Sequence, residues 1–211
     1  MAMLRWIGEQ FAVSFDHLPM LEHLVMKKAS DAPLLQYKGI ASLTDRWLHY
    51  QLIERQKIFV KKPQWIWLTR KALNAVDLDF PARAPSVARL DHIHAVNRVR
   101  LHFERKTVGQ GIHWICEREA NESRKKLNKK HQVDGEIKYP DGYTAAVEVE
   151  LNQKRKPRLR SILRELQRDY DAVRYYVSDS SYTAVKNAIQ EIPNYEETFI
   201  LKKLSSLEES A

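Results

Sequence analysis

Two short stretches of this 211-residue chain place acidic residues at every second position. In Val133-Asp134-Gly135-Glu136-Ile137 the carboxylates stand at 134 and 136, and in Ala146-Val147-Glu148-Val149-Glu150-Leu151 they stand at 148 and 150. Successive side chains of a β-strand point to opposite faces. Asp134 and Glu136 therefore share one face, and Glu148 and Glu150 share one face. A hairpin turning at Asp141-Gly142 would lay the two acidic rows side by side. Carboxylates gathered in this way repel one another unless a cation or basic side chains lie between them. Oxygen ligands of this kind suit Mg²⁺ or Mn²⁺. A wet sheet face, or one paired with the basic residues 154 to 168, would show the same pattern.

The surrounding elements set the frame for these strands. Leu90 to Phe103 reads as a helix, Ile112 to Glu119 as a strand, and Asn121 to Lys130 as a basic connection. Gln132 to Lys138 and Tyr143 to Leu151 are strands around the Pro140-Asp141-Gly142 turn. Pro157 to Tyr170 is a helix with Leu159, Ile162, Leu163 and Leu166 on one side. A strand at Val173–Val177, a helix at Ser181–Ile192 and a strand from Glu197 follow. This order combines an antiparallel meander with a crossover, so the sheet should be mixed.

The first half has a different rhythm. The first 26 residues read as helical, with Pro19 in a first turn, and Ser30-Asp31-Ala32-Pro33 reads as a break. A helix follows from Ala41, with Leu43, Trp47, Leu48 and Leu52 at helical spacing. Ile58 and Val60 then read as one strand of a hairpin, Trp65 to Leu68 as the other, and Lys61-Lys62-Pro63 as its tip. Thr69 is placed to cap a short closing helix. Helices followed by a two-stranded ribbon describe a winged helix-turn-helix. The proline-bearing stretch Asp77 to Ser86 marks a break. The expected division is residues 1–80 as the winged helix, 81–89 as linker and 90–211 as an α/β domain, an α+β chain overall.

The helix, three strands and acidic pattern of the second half resemble the restriction-endonuclease-like fold, the PD-(D/E)xK nuclease superfamily. The resemblance implies Asp134 as the Asp of the second strand and Glu148 as the Glu of the third, with Glu104 as a further acid. The bound metal would lower the pKa of a water for attack on phosphorus. Glu150 stands where that pattern has Lys, and Lys154 is the nearest substitute. Both halves together resemble the replication-relaxation family of plasmids and other mobile elements. That likeness rests on Trp65-Ile-Trp-Leu-Thr69, Leu90-Asp-His-Ile-His-Ala-Val-Asn97, Val133-Asp-Gly-Glu136 and Val147-Glu-Val-Glu150 in that order. It implies a winged-helix DNA-binding half and a role in replication, mobilisation or transposition, without implying catalysis. Val133 replaces a Pro and Glu150 an Asp of the family pattern.

Charge points to nucleic acid. The net charge is +8, and between Arg124 and Arg168 thirteen Lys and Arg face six Asp and Glu. Such a surface attracts phosphate backbones through Coulomb energy and counterion release. The expected contacts to duplex DNA are Arg46 and His49 on the recognition helix, with Ser42, Thr44 and Asp45 beside them, and Lys57, Lys61 and Lys62 on the wing. In the second half they are Arg124, Lys125 and Lys126, then Lys154, Arg155, Lys156, Arg158, Arg160 and Arg164. Arg160, Arg164 and Arg168 repeat every four residues and so form one ridge. Three functions stay open: a DNA-binding accessory protein with a non-catalytic nuclease-like sheet; a Mg²⁺-dependent endonuclease; and an adaptor that recruits a relaxase, transposase or replication protein.

Several classes are excluded. Cys116 is the only cysteine, which rules out an internal disulfide and a cysteine-rich zinc site. No phosphate-cradling Gly-x-x-x-x-Gly-Lys-Ser/Thr or dinucleotide Gly-x-Gly-x-x-Gly occurs, and a deaminase pattern is missing. His92 and His94 diverge on a helix, so they read as packing or capping residues. No apolar run reaches membrane-spanning length, and the N-terminus reads as lacking a signal peptide. The expected location is cytoplasmic.

Overall fold

The computed structural model describes residues 1–26 and 36–207. The expected break at 30–33 lies outside the described residues. The chain divides into two compact units, Met1–Arg105 and Lys106–Ala211.

The first unit contains helices α1 (Ala2–Glu9), α2 (Leu18–Val25), α3 (Tyr37–His49), α4 (Arg70–Ala75) and α5 (Leu90–Lys106), with strands β1 (Val13–Ser14), β2 (Ile53–Gln56) and β3 (Trp65–Leu68). The strands form an antiparallel sheet in the order β1-β3-β2. The partner of Trp65–Leu68 is therefore Ile53–Gln56 and not Ile58–Val60. Arg55 and Gln56 lie opposite Ile66 and Trp65, whereas Val60 is exposed in the intervening loop. The stretch Val13–His17 is not α-helical: Val13–Ser14 forms β1 and Phe15–His17 a 3-10 helix. Thr69 caps α4 by accepting a hydrogen bond from Ala72 N, an interaction worth about 1 kcal/mol.

All four residues of β3 are buried, because both of its faces are covered. Ile66 and Leu68 join a core with Leu4, Ile7, Leu18, Leu21, Ile40 and Leu73. Trp65 and Trp67 pack on the other side with Leu90 and Ile93 of α5. This is why α5, expected to open the second domain, belongs by its packing to the first unit. Polar groups fasten it further. Asn97 Nδ2 donates to Ala12 O at 2.9 Å. Arg100, itself buried, bridges Glu9 (2.7 Å) and Glu104 (2.8 Å) and lies over the Trp6 ring. Glu104 also accepts from Trp6 Nε1 at 2.8 Å. It is a structural anchor of the first unit.

The second unit holds β4 (His113–Cys116), α6 (Glu117–Lys126), β5 (Gly135–Lys138), β6 (Thr144–Glu150), α7 (Lys156–Asp169), β7 (Ala172–Val177), α8 (Asp179–Gln190), α9 (Tyr195–Thr198) and β8 (Phe199–Lys203). The five strands run in sequence order. The first two pairings are antiparallel and the last two parallel, giving the mixed sheet that the element order predicts. Gly142, at φ 88°, sits in the left-handed region where glycine is unstrained and closes the β5–β6 hairpin. Leu159, Ile162, Leu163 and Leu166 of α7 pack on Ala146, Val173, Tyr175 and Val177, as the periodicity of α7 requires. The segment expected as a basic connection is largely the helix α6. Its acids Glu117 and Glu119 lie in the first turn and its bases Arg124, Lys125 and Lys126 in the last, the arrangement that the helix dipole favours.

Replacing Arg100 with Met should remove the bridge between α1 and α5, leaving Glu9 to Arg5 alone and the partly buried Glu104 without its cation. The expected loss is about 3 kcal/mol of unfolding free energy, measured by urea denaturation. A loss of a few tenths would show that α5 is held by the tryptophan contacts alone.

Candidate nucleic-acid interface and acidic cluster

The β5–β6 register sets Glu136 opposite Ala146, and the β6–β7 register sets Glu148 opposite Tyr175 and Glu150 opposite Val177. Glu136, Glu148 and Glu150 therefore share one sheet face, as alternation predicts. That face is not wet, because it is the one covered by α7. Glu148 is 3% exposed and Glu150 5%. Charges so deeply placed need partners. Lys154 pairs with Glu150, and Tyr175 donates to the same carboxylate at 3.4 Å. His131 Nε2 stands 3.0 Å from Glu148 Oε1, close enough for attraction but outside hydrogen-bond geometry, so neither atom has a hydrogen-bond partner. Asp134 Oδ2 accepts from Val149 N at 2.7 Å and so clamps the start of β5 to β6.

This crowding perturbs protonation. Burial pushes Glu148 up to about 7, reinforced by Asp134 and opposed by His131 and Lys154. Burial, Glu148 and Glu150 raise the Tyr175 hydroxyl far above the usual phenol range. Gly135 completes the motif for a steric reason: a Cβ there would lie 2.6 Å from Trp114 Cζ2.

The structure thus brings Asp134, Glu148, Glu150 and Lys154 into one neighbourhood. For Mg²⁺ or Mn²⁺ the obstacle in this arrangement is solvent access. Mg²⁺ keeps several of its waters, and the Glu148 and Glu150 side chains are 4% and 6% exposed. Among the described residues, no three of the second unit's acidic, His or Cys side chains converge on one ligand position.

The basic residues separate into internal and external groups. Arg124, expected on the surface, is 5% exposed. Its guanidinium bonds His131 O (2.9 Å), Tyr170 Oη (3.2 Å), Glu165 (3.0 Å) and Asp169 (3.4 Å), and Tyr170 passes a hydrogen bond to Glu136 at 3.1 Å. Arg124 is therefore removed from the candidate DNA contacts. Lys126 pairs with Glu122 at 2.9 Å, and Lys156 and Arg160 both pair with Glu191. Lys125, Lys130, Arg155, Arg158 and Arg164 are exposed and have no ion pair among the described residues.

A groove of about 620 Å³ gathers the ridge and the loop after α6. Lys129, Lys130, Arg160, Ser161, Arg164 and Arg168 line it. The groove sets Lys129 and Lys130, at the end of the basic connection, beside the ridge of α7. Lys125 and Lys126 are not among its lining residues.

In the first unit, Ser42, Asp45, Arg46 and His49 lie exposed on α3 and Lys57, Lys61 and Lys62 on the loop between β2 and β3. Thr44 does not join them: it is fully buried and bonded to Ala41 O and Arg55. Arg55 also holds Asp45 at 2.9 Å, which offsets the one acidic charge on that helix face. Lys62 is tied to Asp91 at 2.7 Å, whereas Arg46, Lys57 and Lys61 are unpaired among the described residues. Sequence reasoning missed a further group, Asp16, His17 and His94, which converges in this unit.

No protein-family model matches the chain, and no curated protein or solved structure matches it either. Among the described residues, no helix is long and apolar enough to cross a membrane.

Glu148 gives a pH test. Its folded value of about 7 lies above its ordinary 4.5, so the folded chain binds this proton more tightly than the unfolded chain. The resulting stabilisation is complete below about pH 4.5 and is lost as pH rises through about 7. Glu148→Gln should therefore match the parent near pH 4.5, melt at a higher temperature at pH 8 and flatten the slope between. A variant less stable than the parent at pH 8 would show that the His131 and Lys154 charges hold Glu148 ionised.

Proposed function

We propose that this chain is a DNA-binding accessory protein whose nuclease-like sheet is non-catalytic. The observation that carries the reading is the groove of the second unit, where Lys129, Lys130, Arg160, Arg164 and Arg168 line one concavity. Within it, Lys130 and Arg164 are exposed and their side chains have no ion pair among the described residues. Such a row suits a phosphate backbone, which takes up cations along its length and releases counterions. It supplies affinity without sequence information.

The first unit would supply placement on the duplex. Its order of α1, β1, α2, α3, β2 and β3, with the sheet order β1-β3-β2, supports a winged helix-turn-helix. In that reading α3 is the recognition helix, presenting Arg46 and His49, and the loop 57–64 is the wing, presenting Lys57 and Lys61. The meander β4-β5-β6 followed by a crossover to parallel β7 supports a restriction-endonuclease-like second unit. The sealed carboxylates favour a sheet retained as scaffold over an active metal centre. The sequence resemblance to replication-relaxation proteins favours work on a plasmid or other mobile element, beside a relaxase, transposase or replication protein.

Charge reversal tests the groove. Binding to a random-sequence duplex should weaken steeply with salt. In the double variant Lys130→Glu/Arg164→Glu, the slope of log Kobs against log salt should shrink in magnitude by about 2, close to one unit for each lost phosphate contact. Fluorescence anisotropy across a salt series reads both quantities. An unchanged slope would remove the groove from the interface.

A further inference from the structure

We propose that Asp16, His17 and His94 form a site for a divalent transition metal, with Zn²⁺ as the best match. The site lies in the first unit, apart from the acidic strands, and it does not depend on the DNA-binding reading. Each of the three residues offers one ligand atom, and these atoms all lie within 4.8 Å of one another.

Three observations go beyond proximity. First, His94 Nε2 stands 3.3 Å from Asp16 Oδ2. A charge-assisted hydrogen bond would draw in to about 2.7–2.9 Å, whereas two donors sharing a tetrahedral Zn²⁺ at about 2.0–2.1 Å sit roughly 3.3 Å apart. Second, His17 is 7% exposed, and its Nδ1 is buried with no hydrogen-bond partner. An orphaned ring nitrogen carries a desolvation cost that a metal bond would remove. Third, the group is held in place by its surroundings. Ser14 donates to the other oxygen of Asp16, the Trp65 and His94 rings meet in a T-shaped contact at 6.4 Å, and the His17 and His94 rings lie 4.2 Å apart with their planes 29° apart, so one ring turns to aim both lone pairs at a shared ion.

The chemistry of the set narrows the ion. Two imidazoles and one carboxylate suit zinc and other late divalent metals over Mg²⁺ or Ca²⁺. Three protein ligands leave one position open. A cavity of about 230 Å³ lined by Ser14, Trp65, Asp91 and His94 lies alongside, with room for a water or small anion as fourth ligand. A bound ion would tie the 3-10 turn at Phe15–His17 to α5. Metal binding and the packing of α5 on the first unit are then linked, and the ion stabilises the fold by mass action.

The test uses the full chain, stripped with chelator and titrated with Zn²⁺ by calorimetry and with Co²⁺ by visible absorption. One equivalent should bind, Co²⁺ should show the intense bands of a four-coordinate site, and Zn²⁺ should raise Tm. His94→Ala and Asp16→Asn, both at partly exposed positions, should each lower affinity at least tenfold with unchanged circular dichroism. His113→Ala, at an exposed position of the second unit, should bind as the parent does. The proposal is overturned if the parent binds no stoichiometric metal, or if binding survives in both His94→Ala and Asp16→Asn. Equal loss in His113→Ala would also overturn it, because surface histidines would then account for the metal.

Discussion

The burial of Glu148 and Glu150 beneath α7 is the constraint around which the second unit is arranged. A carboxylate withdrawn from water must find a cation, a donor or a proton. Here Lys154 meets Glu150, His131 approaches Glu148, and Tyr175 closes the space between strands and helix. A second charged layer lies nearby, where Arg124 collects Glu165, Asp169 and Tyr170. Together these contacts decide which basic residues are internal. The cations left over, Lys130 and Arg164 among them, are the ones that face solvent beside the groove. One electrostatic requirement therefore fixes both the closed character of the acidic cluster and the open character of the basic surface.

The first unit solves a different problem with a comparable device. Its central strand Trp65–Leu68 is apolar on both faces and needs cover on both. Helices α1 to α4 supply one side, and α5 supplies the other through Leu90 and Ile93. The Arg100 bridge and the Asn97 bond to Ala12 add polar fastening to that cover. The same seating carries His94 to the Phe15–His17 turn. The proposed metal site is thus a consequence of how the unit covers its sheet.

Much of this frame was legible in the sequence. Alternation at 134–137 and 146–151 gave the strands and the shared face, and the period of Leu159 to Leu166 gave the inner side of α7. The remainder was hidden for identifiable reasons. In α6 only Ala120 and Arg124 are buried, so there was no apolar period to mark a helix. The spacing of four between those two residues was the available signal that Arg124 points inward. The partner strand of Trp65 was misplaced because Ile58 and Val60 are the apolar residues nearest the tip, while pairing selects Ile53–Gln56. The association of α5 was missed because a proline-bearing stretch precedes it, although tryptophans at 65 and 67 on an edge-flanking ribbon needed a cover. His94 and Asp16 lie 78 positions apart, a proximity that only the fold creates.

The most direct test of the central claim is a paired measurement on supercoiled plasmid, recording retention of DNA and cutting in the same samples with Mg²⁺, with Mn²⁺ and with EDTA. The account predicts DNA retained and plasmid intact in all three, with the same result for Asp134→Ala. Metal-dependent cutting by the parent chain that disappears in Asp134→Ala would contradict it and make the buried acidic cluster an active centre that opens to admit its ion.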